Sequence, residues 1–145
     1  MDNYNPYDIL VATIAFSDGT GAKRRPALVI ANNEEVIRTY RITSQYSRKS
    51  SYIRSKYFEI KEWEEAGLVK PSWIDTVQLY DLDVELVQVR LIGKLTENDQ
   101  QRFEKFLREN SFFKKSRFFS RSISKRLAYL YFFVNSKILS SRTKL

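Results

Sequence analysis

Two short stretches of this chain carry side chains suited to holding a phosphodiester. The first is Phe16-Ser17-Asp18-Gly19-Thr20-Gly21-Ala22-Lys23-Arg24-Arg25-Pro26-Ala27-Leu28-Val29-Ile30. It reads as a strand end, a Gly-rich loop, three consecutive cations and a buried strand. The second, Arg41-Ile42-Thr43-Ser44-Gln45, ends a strand with two hydroxyls and an amide. Arg25 can donate two parallel hydrogen bonds to phosphate oxygens and keeps its charge at any relevant pH. Thr43, with Ser44 and Gln45 beside it, can donate to non-bridging oxygens. Each residue also has a plain alternative: Arg25 as a surface arginine leaving a turn, Thr43 as ordinary strand-end chemistry, the glycines as a hairpin turn.

Other chemistries are closed by composition. The chain has no cysteine, which excludes disulfides, thiolate metal sites and a cysteine nucleophile. It has no histidine, which removes any ribonuclease mechanism built on an imidazole pair. A zinc site made of carboxylates alone would be unusual, so neither a metal nor another cofactor is implied. The opening Met1-Asp2-Asn3-Tyr4-Asn5-Pro6 has no basic patch or apolar run, so a cytoplasmic protein is expected.

At 145 residues, with 43% apolar and 29% charged residues, one soluble globular domain is expected. The net charge of +8 is unevenly distributed. Residues 110–145 hold 9 of the 25 Lys+Arg and none of the 17 Asp+Glu, so the preceding 109 residues are nearly neutral. Nucleic-acid binding therefore cannot be inferred for the domain from the overall basicity. A boundary near residue 110 separates a domain over 1–110 from a basic Ser/Phe-rich extension over 111–145.

The elements that must position the two stretches follow from patterning. Residues 9–16 read as a strand, residues 17–21 as a turn that exploits glycine at positive φ, and Pro26 as the first residue of the next strand. Residues 27–31 are apolar without a break, which predicts burial on both faces. Over 36–44 alternation places Tyr40 and Ile42 on the core face and Thr39, Arg41 and Thr43 outward. Residues 47–56 are polar and basic and read as a mobile loop. Residues 57–60 form a strand and 62–66 a helical turn stopped by Gly67. Two strands, 73–80 and 86–92, flank a corner at Asp81-Leu82-Asp83. Thr96 with Asp99 suggests a capping box opening a helix whose Phe103, Phe106 and Leu107 share one stripe. Short strands first and a helix last predict a mainly β (α+β) fold, a small twisted barrel closed by a C-terminal helix. In the tail, Phe119, Ile123, Leu127, Leu130, Val134 and Ile138 allow one amphipathic helix. Its uninterrupted apolar run, residues 127–134, is far short of the roughly 20 needed to span a bilayer. Trp63 and Trp73 can serve either as base-stacking surfaces or as core.

The order FSDGTGAKRRPALVI…ITSQ…WEEAGLVKPSW resembles the PemK/MazF-like toxins of bacterial type II toxin–antitoxin pairs, over roughly residues 8–107. That resemblance implies an SH3-like β-barrel, a homodimer, a cognate antitoxin and metal-independent cleavage of single-stranded RNA. It implies that Arg25, Thr43 and Ser44 carry the cleavage. Asp18, Gly19, Gly21, Lys23, Arg24, Gln45 and Asp75 would contact the substrate. Two departures stand out. Tyr7 replaces the glycine that precedes the family's first acid, here Asp8. Where some relatives carry an arginine and, two residues on, an acid, this chain has Asp75 and Val77; Asp75 is then a candidate base or an exposed strand aspartate. Two rival readings follow: a degenerate barrel that binds nucleic acid without cutting it, and a tail that works as a basic aromatic arm for nucleic acid or an anionic membrane surface.

Overall fold

The computed structural model describes residues 3–15, 20–33 and 35–110. The readings made for Asp18, Gly19 and the tail beyond Asn110 lie outside the described residues. The elements in chain order are β1 (Asp8–Ala15), β2 (Ala22–Asn32), β3 (Val36–Thr43), α1 (Ser51–Arg54), β4 (Tyr57–Ile60), β5 (Ser72–Asp83), β6 (Val89–Lys94) and α2 (Glu97–Glu109). The strands form one antiparallel sheet in the order β4-β5-β3-β2-β1-β6. The mostly β architecture with a terminal helix is the one the sequence predicts, although no ladder joins β4 to β6.

The turn after β4 nevertheless meets β6 through close backbone approach. Gly67, at φ +87°, ends the turn after β4, and a Cβ there would lie 2.3 Å from the Ile92 carbonyl oxygen in β6. A Cβ on Gly93 would lie 2.0 Å from the Ala66 carbonyl oxygen. Only glycine permits such an approach. The sheet thus curls into a barrel-like shape held by packing rather than by a closing ladder.

Both faces of the sheet are covered, which explains the continuous burial of residues 27–31. Ile9, Leu28, Ile30, Ile42, Phe58, Ile74 and the α2 residues Phe103 and Leu107 form the larger core. Leu10, Ala12, Val29, Ile37 and Leu82 form a smaller one. Phe58 meets Phe103 and Phe106 edge-on at 5.1 and 5.6 Å between ring centroids, so the predicted α2 stripe is its buried face. Thr96 caps α2 by accepting the Asp99 N–H. The Asp99 carboxylate does not complete a capping box; it accepts the Glu62 N–H at 2.8 Å and pairs with Arg102, tying the turn after β4 to the helix.

Tyr40 packs against Phe103, and burial pushes its phenol from 10.0 up to about 12. Stability from keeping this phenol protonated is complete below pH 10 and is lost as pH rises toward 12, at about 1.4 kcal/mol per unit. Tyr40→Phe should therefore flatten the fall in urea midpoint across that window relative to the unsubstituted chain.

Several local expectations are corrected. Pro26 does not start β2; the strand begins at Ala22. Proline is accommodated because β2 pairs only with β1 until Ala27, where the β3 ladder begins. Residues 81–83 continue β5 instead of forming a corner. The turn comes afterwards, where Leu86 and Val87 donate to the Asp83 carbonyl, and β6 starts only at Val89. The polar loop 47–56 contains α1, capped by Ser50, whose side chain accepts the Ile53 N–H. Tyr7 adopts φ +72° where the family's glycine would stand, so the opening turn survives the substitution. The strained backbone, which costs about 1–2 kcal/mol for a non-glycine residue, is offset by burial of the ring and by its hydroxyl donating to Glu104 at 2.8 Å. Among the described residues no helix is long and apolar enough to cross a membrane.

Candidate functional site

Strand register brings the two chemically loaded stretches together. Ala27 pairs with Arg41 across β2 and β3. Arg25 and Thr43 each lie one same-face step beyond that pair, past the end of the β2–β3 ladder. Arg25 lies half-buried and Thr43 pairs with Trp73 on the other side. The adjacent row of the same face runs Ala27, Arg41, Asp75 and Tyr57. This face begins in the smaller apolar core and becomes polar at its β3–β5–β4 end.

A register break shapes that polar end. Tyr40 faces Leu79, but the next residue, Arg41, faces Asp75, so Thr76, Val77 and Gln78 bow out of the β3–β5 ladder. Such bulges re-aim side chains. Thr76 is held by N–H and hydroxyl donation to the Lys56 carbonyl, at 3.1 and 2.6 Å. Arg41 donates from Nη2 to Asp75 Oδ2 at 2.5 Å, and the Val77 N–H donates to Oδ1 at 3.0 Å. Burial works against the Arg41 charge, but the hydrogen bond and charge of Asp75 outweigh it, and the Arg41 pKa rises. The Tyr57 phenol is also pushed up, by burial and then by the Asp75 charge, with Arg41 pulling the other way. Beside this cluster Tyr46 stacks on Trp73 with centroids 4.9 Å apart, and the Arg54 guanidinium sits over Tyr46 at 5.6 Å. The result is a partly exposed aromatic and cationic wall next to the Thr43 row.

The sequence-predicted residues are not all placed alike. Arg25, Thr43 and Asp75 share the face just described. Thr43 was expected to point outward into solvent; it lies on the non-core side relative to Ile42 but is only 5% exposed, because β3 is an interior strand flanked by β2 and β5. Its hydroxyl oxygen accepts the Gln45 N–H at 3.1 Å. Asp75 is not an exposed strand aspartate either, being 5% exposed. Ser44 is half-buried, and Gly21, Lys23, Arg24 and Gln45 are exposed. Strand alternation turns Arg24 to the face opposite Arg25 and Lys23. Trp73 belongs to the wall, whereas Trp63 packs against the larger core. Sequence reasoning assigned no functional role to Arg41, Tyr46 and Tyr57. An arginine two residues before Thr43 was the one available signal for Arg41.

The described residues thus form a single curled β sheet packed against an amphipathic helix, with cations, hydroxyls and aromatic rings along one flank. The family model of PemK-like, MazF-like toxins of type II toxin-antitoxin systems matches residues 5–110, and the chain belongs to that family. Among solved structures it is similar to the Mycobacterium tuberculosis toxin MazF-mt6, with 17% identity and a TM-score of 0.48 over 68% of this chain and 92% of that one. No curated protein matches the chain.

Proposed function

We propose that this chain is an endoribonuclease toxin that cleaves single-stranded RNA without a metal and is restrained by a cognate antitoxin, with homodimerisation and a cytoplasmic setting following from the same family reading. The observation that supports it is the pairing of Ala27 with Arg41, which leaves Arg25 and Thr43 one same-face step beyond on adjacent strands, in a domain of a toxin family. In the reaction the ribose 2′-oxygen attacks the adjacent phosphorus, the bond from phosphorus to the 5′-oxygen breaks, and a 2′,3′-cyclic phosphate and a 5′-hydroxyl remain. The 2′-hydroxyl proton leaves to a base and a proton is delivered to the 5′-oxygen. Arg25 and the Thr43 hydroxyl would stabilise the extra negative charge on the phosphoryl oxygens as it develops.

The test is incubation of the full chain with mixed-sequence single-stranded RNA in excess chelator. Cleavage at defined sites, leaving cyclic-phosphate ends, is expected. Retention of RNA without cleavage by folded protein would favour the second reading, a degenerate binding barrel. That alternative draws on the burial of Thr43 and on the engagement of both Asp75 oxygens.

A further inference from the structure

Two arginine–aspartate pairs cross from β3 to β5, and they are built differently. Arg38 directs Nε and Nη2 at the two oxygens of Asp81, at 2.6 and 2.7 Å, in a closed bidentate pair. Arg41 gives Asp75 only Nη2, and the second carboxylate oxygen accepts the Val77 N–H instead. The Arg41 Nε is buried with no acceptor among the described residues, yet the side chain as a whole is 28% exposed. A guanidinium has five N–H donors, and a buried donor without an acceptor leaves its desolvation uncompensated. Were the pair only a tie between strands, the closed geometry of Arg38–Asp81 would serve it better. The open geometry coincides with the bulge that re-aims Asp75.

We propose that Arg41 is a phosphate-binding residue of the RNA site, held in place by Asp75, which is a positioning residue and not the general base. The inference rests on the RNA reading above and adds a second cation to it. Arg41 is one same-face step from Thr43 and directly across from Ala27, itself one such step from Arg25. Diagonal neighbours on adjacent strands lie about 7–8 Å apart, comparable with the step between successive phosphates of a single strand. Arg25 and Thr43 take the scissile phosphate, and Arg41 takes a flanking one. Asp75 is only 5% exposed, and its oxygens already hold the Arg41 guanidinium and the Val77 N–H, so it serves to hold Arg41 rather than to meet the 2′-hydroxyl.

The experiment uses the full chain and a single-stranded 2′-O-methyl RNA, which cannot be cut because its nucleophile is blocked. Binding is measured over a series of salt concentrations. In the neutral pair Arg41→Gln with Asp75→Asn, affinity should fall about tenfold or more. The slope of log affinity against log salt should become shallower by about 0.7, the signature of one lost contact to a single strand. Asp75→Asn alone should also weaken binding, although it makes the chain more positive; tighter binding would mean that Asp75 does not position Arg41. Arg41→Lys preserves the charge pair and the fold, and should weaken binding several-fold with the slope retained. Unchanged affinity in Arg41→Lys, or unchanged affinity and slope in a folded double variant, overturns the inference while the RNA reading stands. Failure of the unsubstituted chain to bind this RNA and to cut its unmodified counterpart overturns both.

Discussion

Replacing Arg25 by alanine is expected to slow RNA cleavage by about 10²–10³ while leaving the fold in place, the usual consequence of removing one preorganised donor from a site of developing charge. The fold should survive because Arg25 sits half-buried on the stretch of β2 that carries a single ladder, and among the described residues it forms no ion pair. The loss should appear in kcat more than in KM, since the charge it meets is greatest in the transition state. Thr43 makes a useful contrast. Thr43→Ala removes a hydroxyl that also accepts the Gln45 N–H, so it should lower both the rate and, by about 1 kcal/mol, the stability. Thr43→Ser keeps the hydroxyl and should restore most of the rate. Single-turnover cleavage of one defined RNA separates the cases. A rate for Arg25→Ala within threefold of the unsubstituted chain would remove Arg25 from the chemistry.

Arg25 and Thr43 stood out in the sequence as residue types that could hold a phosphate. Their juxtaposition was not legible, because it depends on the β2–β3 register that pairs Ala27 with Arg41. The strands and the helix were readable from apolar patterning, since Phe103 and Leu107 obey a helical step and residues 27–31 a buried strand. The polar cluster was hidden for a different reason. Alternation assumes an unbroken ladder, and three residues of β5 leave the ladder between Leu79 and Asp75. No local pattern announces such a break, so the sequence left Asp75 between a candidate base and an exposed strand aspartate and did not single out Arg41. Tyr7 shows the same limit in the backbone. Positive φ is normally signalled by glycine, and here the conformation is imposed by the Tyr7 N–H donating to Val29, the Tyr7 carbonyl accepting from Leu95, and the buried ring.

Gly93→Ala should be the most destabilising single-methyl addition in the described domain, by about 3 kcal/mol or more, at the upper end of overpacking effects. Its new Cβ would stand 2.0 Å from the Ala66 carbonyl oxygen, a backbone atom with no rotamer to change. Relief would require moving the turn after β4 away from β6. That turn is fixed from both sides: Ala66 and Leu68 are buried in the larger core, and the Glu62 N–H is held by Asp99 on α2. For a domain of this size a loss of that order lowers the melting temperature by about 10 °C or more. Gly67→Ala should behave similarly, since φ +87° adds backbone strain to a 2.3 Å contact with the Ile92 carbonyl oxygen. The double variant is the decisive case. Both methyls push the same two backbone segments apart, so once one has opened the gap the second should cost less than it does alone. Thermal melts of the two single variants and the double variant measure that coupling. Additive losses would mean that the two glycines serve separate contacts and that the sheet's curl does not depend on this single point of approach.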